Sequence, residues 1–122
     1  MKTQSQRNYD LSFVREITGG NVLYQSQLIN AFVTETNWSM KHLTGGLKQG
    51  KYNRIARHAH RMKSTFDLMG IDCLKKDIRL LEDYSKQQKN VDRIPALITR
   101  MNGELKTICK SLQNEITINQ SQ

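Results

Sequence analysis

Proline and glycine are scarce in this chain of 122 residues, which has one proline and seven glycines. A β-rich domain of this size needs many tight turns, and tight turns draw on both residue types. The single proline, Pro95, falls near a predicted helix start, a position that tolerates proline. The scarcity therefore predicts an all-α fold.

Cysteine and long apolar runs are also scarce. Cys73 and Cys109 lack the ligand spacing of a zinc site and are too few for a disulfide framework, so we predict reduced thiols and no metal site. No apolar run approaches the roughly 20 residues that cross a bilayer. The opening Met-Lys-Thr-Gln-Ser-Gln has no apolar stretch typical of a secretory signal. These absences predict a cytoplasmic domain without membrane contact.

Acidic residues are fewer than basic ones: the chain has 11 Asp and Glu and 19 Lys and Arg, which gives a net charge of +8. Such an excess bears on partners and says nothing about fold. It fits nucleic acid, an anionic surface or an acidic protein partner, and composition leaves all three open. Aromatic residues make up 7% of the chain and offer no obvious platform for stacking bases.

The length fits one domain. We predict that residues 9–116 form it, between polar, aperiodic and flexible tails at 1–8 and 117–122. Within it, apolar residues recur mostly at three- and four-residue spacing in one short and four longer segments. Because short connections make neighbouring helices antiparallel, the sequence predicts an antiparallel up-down four-helix bundle with an additional short N-terminal helix.

Caps and glycines set the predicted helix boundaries. Asp10 and Asn21 are placed to cap the first two helices, and Gly50 and Gly70 to end the second and third. The apolar positions assigned to the start of the bundle are Leu11, Phe13, Val14, Ile17 and Val22. The predicted core includes Ile55, Met62, Phe66, Leu74, Ile78 and Leu105.

The helix predicted from about Lys51 to Met69 places one histidine away from the core. Viewed down the helix axis, His60 is rotated by about 140° from the centre of the apolar stripe. Ala56 one turn before it and Ser64 one turn after it are small, so another protein can approach the imidazole closely. Lys63 lies on the same side, where its charge can stabilise an anion attached to His60.

The other two histidines are less favourably placed for contact with another protein. His58 falls at about −60°, on the shoulder of the apolar stripe, and is predicted to pack in the core. His42 lies between Lys41 and Leu43 with no patterned neighbours. A lone exposed histidine on a helix usually has no function, so the angle alone does not decide the role of His60.

The run His60-Arg61-Met62-Lys63-Ser64, read as His-x-x-Lys-small, resembles the signature of histidine-containing phosphotransfer (HPt) domains. The similarity spans roughly residues 9–112, with a serine where glycine is common after the lysine and with an unusually basic charge. The flanking residues that fit the family are Tyr9 to Phe13, Thr18 to Gly20, Phe32, Glu35, Ala59, Gly70, Leu74, Leu81 and Glu82.

The resemblance implies a phosphocarrier. His60 would accept a phosphoryl group from the aspartyl phosphate of a receiver domain and pass it to, or back from, another receiver. Lys63 would stabilise the phosphoryl charge, and Ser64 would leave clearance. The surface expected to contact the partner comprises Ala56, Arg57, Arg61 and Asp67.

The sequence has no phosphate-binding GxxxxGK[ST] loop and no Asp-Asp pair for magnesium. We therefore expect a carrier that is not an enzyme and binds no cofactor, with Mg²⁺ supplied by the receiver. The expected partners are response-regulator receiver domains and, through them, a sensor histidine kinase. The domain is expected to be a monomer, and either a separate protein or the C-terminal module of a hybrid sensor histidine kinase.

Residues 51–63 contain no acid, and a receiver's magnesium pocket is acidic, so we expect a basic collar around His60 to steer association. The collar consists of Lys51, Arg54, Arg57, Arg61 and Lys63. The alternative is a basic helical domain that binds nucleic acid, or a protein scaffold, with His60 a bystander. No helix-turn-helix pattern emerges, so we do not expect nucleic acid as a partner.

Overall fold

The computed structural model describes residues 8–120, with side chains to residue 116. All of the predicted N-terminal tail except Asn8 lies outside the described residues. Two 3₁₀ turns, Asp72–Leu74 and Val91–Arg93, lead directly into the fourth and fifth helices. The helices are α1 (Ser12–Ile17), α2 (Val22–Gln49), α3 (Tyr52–Leu68), α4 (Lys75–Gln87) and α5 (Ile94–Gln120).

The four long helices form the predicted bundle. Helix α3 lies between α2 and α4, and α5 packs against both α2 and α4. Arg61 of α3 contacts Glu35 of α2, whereas Arg54, earlier in α3, contacts His42, later in α2. Contacts between α3 and α4 show the same reversal of direction. The antiparallel all-α bundle with a short N-terminal helix is therefore confirmed.

The predicted caps and glycines lie at the helix ends. The Asn21 side chain accepts a hydrogen bond from a backbone N–H in the first turn of α2, and Gly50 ends α2 with φ of +65°. Gly70 has φ of +62°, and a Cβ there would collide with the backbone of Asp10. The Asp10 N–H donates to the carbonyl of Met69 at 3.1 Å, so this close approach ties the start of α1 to the end of α3.

The first and last helices differ in how closely their bounds match those predicted from the sequence. Helix α1 begins at Ser12, and its N-cap is Leu11, which makes no side-chain capping hydrogen bond, so the prediction that Asp10 caps this helix was one residue out. The Asp10 carboxylate instead accepts a hydrogen bond from the Ser12 N–H at 2.9 Å. Helix α5 continues to Gln120, four residues beyond the predicted end of the domain at residue 116. No glycine or proline occurs between residues 104 and 120, so no strong helix breaker interrupts the backbone there.

The six side chains placed in the core from the sequence are all buried. Phe13, Ile17 and Val22, which were counted only as apolar positions of the first two helices, are 51%, 45% and 46% exposed. In the six-residue α1 only Val14 is buried, and Phe13 and Ile17 lie on the exposed side of the helix. Val22 is the first residue of α2. Among the helices of residues 8–120, none is long and apolar enough to cross a membrane.

Candidate functional site

His60 lies on the outer face of α3. Its side chain is 70% exposed, whereas Ala59 and Met62 on the inner face of the helix are buried. Ser64 is exposed one turn after His60, and Ala56 is half-buried one turn before it. The imidazole is therefore open to an approaching protein, as the helical spacing predicts.

One nitrogen of the His60 ring is engaged by α4. His60 Nδ1 lies 2.8 Å from Oε2 of Glu82, whose side chain is 16% exposed. An ionised carboxylate only accepts hydrogen bonds, so the proton of the neutral imidazole lies on Nδ1. Nε2 then has no proton and presents a lone pair.

The same carboxylate binds Lys63. Lys63 Nζ lies 2.7 Å from Oε1 of Glu82, and the lysine side chain is 39% exposed. Burial opposes ionisation of Glu82, but the hydrogen bonds from Lys63 and His60 outweigh it and lower the pKa of this carboxyl. Glu82 therefore stays ionised at neutral pH, fixing the imidazole with one oxygen and the ammonium group with the other.

The predicted partner-contact residues surround this centre. Arg57 and Arg61 are exposed on α3. Asp67 is exposed further along the same helix, where its carboxylate lies 3.5 Å from Nζ of Lys75 on α4. Together with Ala56, these residues lie on α3 with His60, and Arg61 lies on the side of α3 that faces α2, where it contacts Glu35.

These contacts coincide with a family match. The family model described as Hpt domain matches residues 27–115. The chain belongs to the Hpt domain family. The matched stretch includes His60, Lys63 and Glu82, the three residues joined at the site. Domains of this family carry phosphoryl groups on histidine in phosphorelays, and histidine phosphotransfer is accordingly the function of this Hpt domain.

A solved structure has the same fold as this Hpt domain. Histidine-containing phosphotransfer protein B (HptB) from Pseudomonas aeruginosa PAO1 is 21% identical, with a TM-score of 0.81 over 90% of this chain and 95% of that one. No curated protein matches the sequence.

The predicted basic collar of this Hpt domain is partly neutralised. Residues 51–63 contain no acid, but Glu35 of α2 lies 2.6 Å from Nη2 of Arg61, and Glu82 of α4 pairs with Lys63. The surroundings of His60 are thus less basic than the sequence of α3 alone indicates. The acids come from neighbouring helices, whose register a single helix does not reveal.

Sequence reasoning missed a cluster of rings beside this site. Trp38 and His42 of α2 contact each other with centroids 4.3 Å apart, and the His42 ring stacks on His58 of α3 at 4.6 Å. His58 is buried, as predicted, and desolvation followed by nearby positive charge lowers its pKa to about 4. The four-residue spacing of Trp38 and His42 was the only available signal, because His58 joins them across helices.

Proposed function

We propose that His60 is the phosphoryl acceptor of this Hpt domain and that Nε2 is the atom that reacts. The observation that supports this is the contact of Nδ1 with Glu82. It leaves the outward-facing nitrogen as the nucleophile, on a side chain that is 70% exposed. A buried nitrogen could not meet an aspartyl phosphate held inside another protein.

The proposed step moves one phosphoryl group between two side chains. The Nε2 lone pair attacks the phosphorus of the receiver's aspartyl phosphate, forming an N–P bond. The P–O bond to the aspartate breaks, and its electron pair leaves with the carboxylate. The Nδ1 proton stays on the ring and donates to Glu82, which offsets the positive charge that the imidazole gains. Transfer to a second receiver is the reverse of these steps.

Lys63 contributes charge to this reaction. Its ammonium group has three donors, of which one contacts Glu82. The others are available to phosphoryl oxygens on His60, and phosphoryl transfer depends mainly on positioning and charge neutralisation. Ser64, exposed one turn after His60, leaves room for the receiver's loops.

The remaining chemistry belongs to the partner. We expect the receiver to supply Mg²⁺ and its acidic ligands, and the Hpt domain to act as a carrier with no ATP site or cofactor of its own. Ala56, Arg57, Arg61 and Asp67 are the proposed contact residues. We also propose that the domain acts as a monomer in the cytoplasm, where a sensor histidine kinase phosphorylates the receivers.

The test is phosphoryl transfer from a phosphorylated receiver to wild type, His60→Gln and Lys106→Gln. Lys106 is exposed on α5, which packs against α2 and α4, and serves as the control for a change to glutamine. Wild type and Lys106→Gln should gain an acid-labile label, and His60→Gln should gain none while keeping its helicity. ATP alone should label none of them. Label retained by His60→Gln would move the acceptor to another residue.

A further inference from the structure

Trp38 is a large apolar side chain that is not fully buried in the core. It is the only tryptophan of the chain, and its side chain is 45% exposed in the middle of α2. Tryptophan buries more apolar area than most side chains, so leaving it half in solvent forgoes stabilisation that the fold could have used. Its exposed part is apolar area that a partner protein can bury.

The indole ring is nevertheless held on several sides. The ring of His42 lies 4.3 Å away on the same helix, and that of His58 lies 5.0 Å away on α3. The guanidinium carbon of Arg61 lies 5.3 Å from the ring centre, within the range of a cation–π contact. Arg61 is in turn fixed by Glu35 at 2.6 Å. A ring held in this way loses little conformational entropy when a partner covers it.

The position of Trp38 relative to His60 determines which partner protein can contact the indole ring. Arg61 follows His60 directly in α3, so their Cα atoms are about 3.8 Å apart, and Arg61 contacts Trp38. Even a small transient interface covers roughly 600 Å² of each partner, a disc of about 14 Å radius. A protein centred on His60 therefore covers the α2 side of α3 as well.

We infer that Trp38, held by Arg61, His42 and His58, is an anchor residue of the surface that binds the receiver domain. This inference rests on the proposed function of His60. Tryptophan and arginine are the residue types that most often dominate binding energy when they become desolvated near the centre of an interface. Arg57, which is exposed on α3, also complements the acidic surface around a receiver's magnesium pocket.

The first test uses the fluorescence of Trp38, which needs no label because the chain has a single tryptophan. A tryptophan-free receiver is titrated into the wild-type protein. Binding should shift the emission to shorter wavelength and reduce quenching by acrylamide, because the receiver covers the ring. A receiver that binds, by calorimetry, without changing either signal would overturn the inference.

The second test separates docking from chemistry. Single-turnover transfer is measured against receiver concentration for wild type, Trp38→Phe, Trp38→Ala and Lys106→Ala, with thermal melts alongside. Trp38→Ala should raise the half-saturating concentration about tenfold or more, and Trp38→Phe should raise it less. The saturated rate should stay within about twofold for both, since the ring does not touch the reacting atoms. Lys106→Ala should match wild type.

The two proposals fail in different ways. An unchanged half-saturating concentration in Trp38→Ala, with wild type still labelled on His60, would overturn the anchor role alone. A wild-type protein that takes no label from any receiver would overturn the proposed function instead. A folded Trp38→Ala whose saturated rate falls without a change in half-saturation would place the ring in the chemistry and also contradict the inference.

Discussion

Glu82 Oε2 lies 2.8 Å from Nδ1 of His60, although the two residues are 22 positions apart in the sequence. The contact exists because α3 and α4 run antiparallel and place these two residues at the same height. It decides which nitrogen of the ring faces solvent. The chemistry of the site is therefore set jointly by a residue on the outer surface and by a half-buried carboxylate on the adjacent helix.

Removing the carboxylate should slow transfer. Glu82→Ala leaves Nδ1 of His60 without its acceptor, so the ring populates both tautomers and presents a nucleophilic Nε2 for less of the time. Glu82→Gln keeps one acceptor oxygen and should slow transfer less. Single-turnover rates and the tautomer ratio from imidazole ¹⁵N NMR measure both effects. Asp83→Ala is the control on the same helix, and a wild-type rate in Glu82→Ala would show that the contact has no role.

Lys63 should act through its charge. Lys63→Ala removes the cation near the phosphoryl group and should slow transfer from a receiver markedly, whereas Lys63→Arg keeps the charge with a different shape and should slow it less. Thermal melts should change little, because exposed substitutions usually fall within about 0.5 kcal/mol. Equal transfer rates for wild type and Lys63→Ala would leave the lysine as an ordinary surface charge.

Phe66 tests the core. Its side chain is 1% exposed, so Phe66→Ala should lower the free energy of unfolding by about 3–5 kcal/mol through lost burial and a residual cavity. Chemical denaturation monitored by far-UV circular dichroism gives the value, with Lys106→Ala as the exposed control. A loss below about 1 kcal/mol, the level of a typical substitution, would mean that the ring is not packed as described.

His58 should make stability depend on pH. Its pKa falls from 6.5 to about 4 on folding, because it is desolvated and faces the positive charges of His42 and three arginines of α3. Between these two values the unfolded chain binds a proton that the folded domain does not, so the free energy of unfolding decreases as pH falls through this window, by about 3 kcal/mol in total. Stability is then fully present above pH 6.5.

His58→Phe removes this titration and keeps a ring beside Trp38 and His42. Its free energy of unfolding should change less than that of wild type between pH 7 and pH 4, measured by urea denaturation. The comparison uses the slope against pH, so a change in overall stability does not affect it. Parallel slopes for the two proteins would show that His58 does not titrate as stated.

The bundle was predictable because one helix after another repeats its apolar residues at helical spacing. The stripe of α3 predicted the burial of His58 and the exposure of His60 from a single angle each. Helical spacing could not show that Val22 and Phe13 are exposed, because it counts apolar residues without knowing whether a neighbouring helix covers them.

The site was predictable only in part. His60 and Lys63 could be predicted together because they lie on one helix, where a spacing of three residues places their side chains close together. Glu82 fitted the family pattern, but its two hydrogen bonds depend on the register between α3 and α4, which no pattern within one helix contains. The contact of Trp38 with Arg61 depends in the same way on the register of α2 and α3.

The claim that phosphoryl transfer occurs at Nε2 of His60 is tested most directly by NMR. Protein with ¹⁵N-labelled histidine is mixed with a phosphorylated receiver, and long-range ¹H–¹⁵N spectra of the imidazoles are followed. The account predicts that the His60 ring alone changes, to the pattern of a phosphoramidate at Nε2 with Nδ1 still protonated. A phosphoramidate at Nδ1, or a modified ring at His42 or His58, would contradict it.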